Sequence, residues 1–156
     1  MHENTEIIRT FYSAFQKRDH VTMASLYHPS VHFSDPVFPD LDFSEVTAMW
    51  HMLCETATDL KITFENIEAD DTKGSVTWIA EYPFSQTGRK VRNVIYADFE
   101  FQDGKIIQHS DSFNFWKWTR MALGIPGILL GWSPPLQNKV RGMAAKSLRK
   151  FIESQK

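Results

Sequence analysis

The sequence predicts an α+β fold: a cone-shaped, curved antiparallel sheet packed on three N-terminal helices, with a C-terminal helical extension. Three observations carry this. Apolar residues recur at helical spacing as far as Leu53, the period changes to two from Leu60, and turn signals divide the later stretch into four strands. One apolar sheet face and three helices to cover it make a two-layer domain. With 156 residues the chain suits one domain and buries enough surface to fold without staples.

The first helix is expected over residues 5–18, where Ile7, Ile8, Phe11, Tyr12 and Phe15 share a stripe. Asp19 is placed to cap a second, short helix through Met23, Leu26 and Tyr27, stopped at His28-Pro29 because proline disfavours helical geometry in the residue before it. Val31-His32-Phe33 reads as a short strand, and Asp35-Pro36-Val37-Phe38-Pro39 as a loop. Ser44 is read as the cap of a third helix carrying Val46, Met49, Trp50 and Leu53.

Strands are expected near residues 60–69, 75–85, 90–101 and 105–116, an antiparallel meander with turns at Lys73-Gly74, Thr87-Gly88 and Asp103-Gly104. Alternation assigns one face to Val76, Trp78, Ala80, Tyr82 and Phe84. The same face takes Ile95, Ala97, Phe99 and Phe101 on the next strand, and Ile107, His109, Asp111, Phe113 and Phe115 on the last. Beyond Trp116, Met121 to Trp132 is apolar and interrupted by Pro126, and Ser133-Pro134-Pro135 opens a final helix. This tail packs on the domain or on a second subunit, or else forms a lid or a membrane-surface anchor.

Bulk composition excludes several functions. The formal net charge is -2 with no dominant basic stripe, so no nucleic-acid partner is expected. The locally basic C-terminal segment reads as the solvated face of a helix. The lone Cys54 excludes an internal disulfide and a multi-cysteine metal site. The N-terminus lacks a basic and an apolar signal region, and no apolar run spans a bilayer, so a cytoplasmic location without stable membrane insertion is the expectation.

His109-x-Asp111 is the most informative pair, since two-residue spacing on a strand puts both side chains on one face, among Ile107, Phe113 and Phe115. Buried polar groups without partners cost roughly 2–7 kcal/mol, so the two belong together. They act as an acid/base pair or form a structural one. Asp35 is a second candidate base, with an Asx-turn role as the alternative. Trp50, Trp78, Tyr82 and Tyr12, with Phe99 and Phe113, offer rings for core packing or for the wall of a flat apolar ligand. His32 and His51 read as surface residues. No three ligands converge for a metal, and neither a phosphate loop nor a nucleophile elbow is present, so no metal and no cofactor are expected.

The order helix, helix, strand, helix and four-strand meander over about residues 4–116 resembles the nuclear transport factor 2-like superfamily. That group includes SnoaL-like polyketide cyclases, ketosteroid isomerases and limonene epoxide hydrolases. Val31-His32-Phe33-Ser34-Asp35-Pro36-Val37 resembles the isomerases' strand and Asp-Pro segment, whose Asp is the proton-shuttling base. The resemblance also implies that positions 109 and 111 line a pocket. The isomerases' oxyanion tyrosine falls at Phe11, with Tyr12 one residue out of phase, and their second, protonated Asp falls near Ala97, with Asp98 on the opposite face. It implies a SnoaL-like α+β domain over residues 1–118, and residues 119–156 as an apolar segment and helix on the same domain or on a partner subunit.

Three functions are compatible with this reading. The first is an isomerase, cyclase or hydrolase using general acid/base catalysis on a small apolar carbonyl compound, with Asp35, His109 and Asp111 as its catalytic groups. The second is a non-catalytic module binding an apolar ligand, and the third a structural domain. A homodimer is expected through the outer sheet face, where Thr77, Ile79 and Glu81 lie beside Val94, Tyr96 and Asp98.

Overall fold

The computed structural model describes residues 2–57 and 59–156. Two helices, α1 (Glu3–Gln16) and α2 (His20–Ser25), precede strand β1 (Tyr27–Ser34) and helix α3 (Phe43–Thr56). Four strands follow: β2 (Lys61–Ala69), β3 (Lys73–Pro83), β4 (Lys90–Gln102) and β5 (Lys105–Ser112). The tail forms α4 (Phe115–Leu123), α5 (Ile125–Leu130) and α6 (Pro134–Ser154).

The sheet order is β1-β5-β4-β3-β2. The meander β2 to β5 is antiparallel, as its short turns require, whereas β1 joins the edge parallel to β5. The β4–β5 turn holds Asp103 at φ 56° and Gly104 at φ 74°, the geometry a two-residue hairpin turn demands.

Several local expectations are corrected. Tyr27 opens β1 instead of closing the second helix. The third helix is capped by Asp42, not Ser44: Asp42 accepts from the Glu45 backbone N–H while the Glu45 side chain accepts from the Asp42 N–H. The β2–β3 turn lies at Asp70 to Thr72, where Asp70 Oδ1 accepts from the Thr72 and Lys73 backbone N–H groups, and Lys73-Gly74 already belong to β3.

The last strand departs most. A bulge between Glu100 and Phe101 pairs Phe101 with Ile106 and Glu100 with Gln108. The extra residue puts Ile106 inside and leaves Ile107 half-buried, while His109 and Asp111 keep the inward phase. The strand ends at Ser112, and Asn114 caps α4, so Phe115 is a helical residue. His51 is not a surface residue: it is half-buried, stacked on His20 at 3.7 Å and edge-on to Phe151.

The main core lies between α1, α3 and the concave sheet face. Phe11, Phe15, Trp50 and Trp78 interlock at its centre, with Phe15 to Trp50 ring centroids 5.0 Å apart. A second cluster of Val91, Phe115, Trp118 and Ala122 seats α4 on the end of β4. α5 folds back tightly on α4: a Cβ at Gly127 would overlap the Thr119 carbonyl, and one at Gly131 the Thr119 hydroxyl. α6 then returns to α3, burying Leu148 in the main core at 4% exposure, and Arg141 Nε donates to the Pro36 carbonyl at 2.8 Å. Among the described residues no helix is long and apolar enough to cross a membrane.

Candidate functional site

A cavity of about 680 Å³ opens between α3 and the ends of β3, β4 and β5. That is within the range that holds a small organic molecule. Its walls are largely apolar: Phe15, Met49, Trp50 and Leu53 from the helices, and Trp78, Ala80, Ile95 and Phe113 from the sheet and its continuation. Exposed lining residues Thr56, Asp59, Pro83, Ser85 and Gly88 mark its mouth.

Three aspartates line this cavity: Asp59 is exposed at the mouth, and Asp35 and Asp111 lie inside. Parallel pairing is the reason the inner two meet. Phe33 lies beside His109 and Ser34 beside Ser110, so the next step along both strands sets Asp35 beside Asp111. No Lys or Arg stands among the described lining residues.

Asp35 Oδ1 accepts backbone N–H bonds from Val37 (2.7 Å) and Phe38 (2.6 Å), the Asx-turn geometry that precedes Pro39. Oδ2 has no hydrogen-bond partner among the described residues. Burial pushes this carboxyl up to about 6, and the Asp111 charge adds to the rise. The two backbone N–H groups and His109 pull the other way.

Asp111 is held from behind. His109 is completely buried and does not line the cavity. The Trp50 indole N–H donates to Tyr27 Oη (2.9 Å), which leaves the Tyr27 proton to go to His109 Nδ1 (2.8 Å). The imidazole therefore carries its proton on Nε2 and donates to Asp111 Oδ1 at 2.9 Å. Burial holds the Tyr27 phenol well above its ordinary range, so it remains a donor. The relay fixes the orientation of Asp111 and supplies one hydrogen bond to its carboxylate.

The remaining predicted residues divide. Trp50, Trp78, Tyr82 and Phe113 lie on the cavity wall. Tyr82 Oη accepts from Trp118 Nε1 at 2.8 Å, which ties α4 to the wall. Tyr12 and Phe99 lie in the filled core instead: Tyr12 packs on Trp78 and Phe64, and Phe99 on His109 and Phe101. Two buried donors, Trp78 Nε1 and Tyr12 Oη, have no partner among the described residues. Their rings are 5.6 Å apart.

Three further residues escaped the sequence reading. Asn93 lines the cavity, and continuing the period-two face from Ile95 back by one step reaches it. Tyr27 carries no strand signal, because the His28-Pro29 that follows it reads as a helix stop. Trp118 gives no signal, because the alternation of β5 runs on through Phe113 and Phe115 into α4.

A family model described as SnoaL-like domain matches residues 8–109. The chain belongs to the SnoaL-like domain family. A search of curated protein sequences finds no match to this SnoaL-like chain. Among solved structures it is similar to an NTF2-like protein of unknown function from Burkholderia pseudomallei K96243, at 17% identity and TM-score 0.69, covering 78% of this chain and 98% of that one. It is also similar to IdmH, a candidate polyketide cyclase from Streptomyces antibioticus, at 18% identity and TM-score 0.66, covering 80% and 100%. An LEH-like epoxide hydrolase from M. tuberculosis aligns at 16% identity and TM-score 0.65, covering 82% and 96%. At these identities the likeness establishes that the SnoaL-like chain has the nuclear transport factor 2-like fold, and no particular reaction.

Proposed function

We propose that this SnoaL-like chain moves a proton on a small, neutral, apolar carbonyl compound bound in the cavity, as an isomerase or cyclase without a cofactor. The observation that carries this reading is the pairing of Asp35 and Asp111 in one apolar cavity with no cation beside them among the described lining residues. An anionic ligand would meet two carboxylates there, so a neutral one is favoured.

Asp35 is the base in this reading. A carboxyl raised to about 6 is mostly ionised near neutral pH and is a stronger base than an ordinary carboxylate, which suits taking a proton from carbon and returning it. Its Oδ2 takes the proton from the carbon next to the carbonyl. The oxyanion that forms accepts from the Asn93 amide on the cavity wall. Asp35 then returns the proton at another carbon, giving isomerisation, or the enolate carbon bonds to an electrophilic carbon and closes a ring. Asp111, oriented by His109, delivers or removes the second proton. Trp50, Tyr82 and Phe113 hold the ligand, while Tyr12 and Phe99 support the wall from the core. The Asx turn at Asp35 favours a second reading, a binding module in which this residue only shapes the loop.

Deuterium exchange tests the choice. Apolar cyclic ketones incubated with the protein in heavy water are expected to exchange the proton next to the carbonyl above the uncatalysed rate, with the gain lost in D35N. Ketone binding without exchange in the parent would leave the binding module standing.

We also assign homodimerisation to the outer sheet face. There Ile79 pairs with Val94 across the strands, and Tyr96 is 56% exposed beside Thr77. Solution mass checks it: a monomer at high concentration would remove this assignment.

A further inference from the structure

Away from the cavity, the tail gathers apolar surface that the fold does not cover. Six of the nine exposed large hydrophobic side chains among the described residues are Trp116, Ile125, Ile128, Leu129, Leu130 and Trp132. Ile125 is 72% exposed, Leu129 64% and Trp132 62%. Gly127 and Gly131 press α5 against Thr119 so closely that the helix has no room to roll these side chains inward.

The chemistry around the patch says what covers it. Both indole N–H groups are already satisfied: Trp116 Nε1 donates to the Gly127 carbonyl (3.2 Å) and Trp132 Nε1 to the Leu129 carbonyl (3.0 Å). Either ring can therefore enter an apolar phase without stranding a donor. The charge is one-sided as well. Residues 112–152 hold seven of the chain's 17 Lys and Arg and none of its 19 Asp and Glu. Lys117 and Arg120 lie on α4, with the Arg120 guanidinium over the Trp116 ring at 4.8 Å, and Lys139 lies near the start of α6. A second copy docked on the same patch would bring the same cations together.

We propose that α5 and its flanks dock on the surface of an anionic lipid bilayer. The apolar side chains enter the acyl boundary and the flanking cations meet the headgroups. With only six residues in α5, this is peripheral contact and not a span. The patch also neighbours the cavity mouth. Thr87 Oγ1 donates to the Ala122 carbonyl (2.5 Å) and Arg89 Nε to the Met121 carbonyl (3.0 Å), clamping the β3–β4 turn at the mouth to the end of α4. A bilayer bound at α5 therefore lies beside the entrance, where an apolar ligand dissolved in the lipid can reach it.

Co-sedimentation of the full chain with vesicles tests this. One set is phosphatidylcholine alone, the other equal parts phosphatidylcholine and phosphatidylglycerol. The parent is expected to bind the mixed vesicles and to be released by salt. Ile125→Glu with Leu129→Glu is expected to weaken binding about tenfold for each substitution. Lys117→Glu with Lys139→Glu, which leaves the apolar patch intact, is expected to weaken it at least about fivefold for each charge. The second pair keeps the test alive if the first does not fold. No binding to either vesicle, or equal binding to both, overturns the proposal. So does a parent dimer that Leu129→Glu converts to monomer with no vesicle binding, which would make the patch a contact between copies.

Discussion

Replacing Asp35 by asparagine is expected to stabilise the fold near about pH 8 and to do little near about pH 4. Burial raises this carboxyl from 3.8 to about 6, so its protonated form is the one the folded state prefers. Stability linked to that form is complete below about 3.8 and is lost as pH climbs through about 6. At about 1.4 kcal/mol per tenfold, the rise corresponds to a penalty of about 3 kcal/mol above this window. The amide of the D35N side chain would carry no charge at any pH, and its oxygen would still accept from the Val37 and Phe38 N–H groups. D35N should therefore melt about 6–12 °C above the parent near pH 8, the gap closing to below about 1 kcal/mol near pH 4. Thermal unfolding of both proteins across that pH range measures it. A D35N protein no more stable than the parent at the alkaline end, or a gap indifferent to acid, would refute the idea that burial governs this group. Loss of ketone exchange alongside the gain in stability would place the cost of the charge in the service of chemistry.

Four other measurements follow from the same geometry. Tyr27→Phe leaves the Trp50 N–H and His109 Nδ1 without partners, so urea unfolding should show a loss of about 2–4 kcal/mol; parent-like stability would mean the relay does not form. Tyr12→Phe removes a buried hydroxyl that has no partner among the described residues, and should raise stability by about 1 kcal/mol or leave it unchanged; a clear loss would show that the hydroxyl has an acceptor. D111N removes a charge that raises Asp35, so the pH window of the D35N effect should move to lower pH in that background, and an unmoved window would separate the two carboxyls. Leu148→Ala should cost about 2–5 kcal/mol if α6 is part of the main core, and a neutral result would detach the tail from it.

Much of the fold was legible because its signals are local. Alternation from Val76 to Tyr82 and the Asp103-Gly104 turn each depend on a few neighbouring residues. The bulge that exchanges Ile106 for Ile107 left no such mark. It is set by pairing with β4, and the two isoleucines are equally apolar. Tyr27 is hard to place from sequence because a following His-Pro reads as a helix stop, although the backbone pairs with β5 at Tyr27 and again from His32.

By itself the sequence determined the three N-terminal helices and the final one, the meander, and the fact that an imidazole and an acid share the inward face of the last strand. Only the tertiary structure decided that Asp35 stands beside Asp111, and that His109 lies behind the acid and off the cavity wall. The reason is physical. Side-chain alternation is written in residue spacing, whereas a parallel contact between residues 35 and 111 depends on which edge β1 takes, and the packing of the whole core sets that.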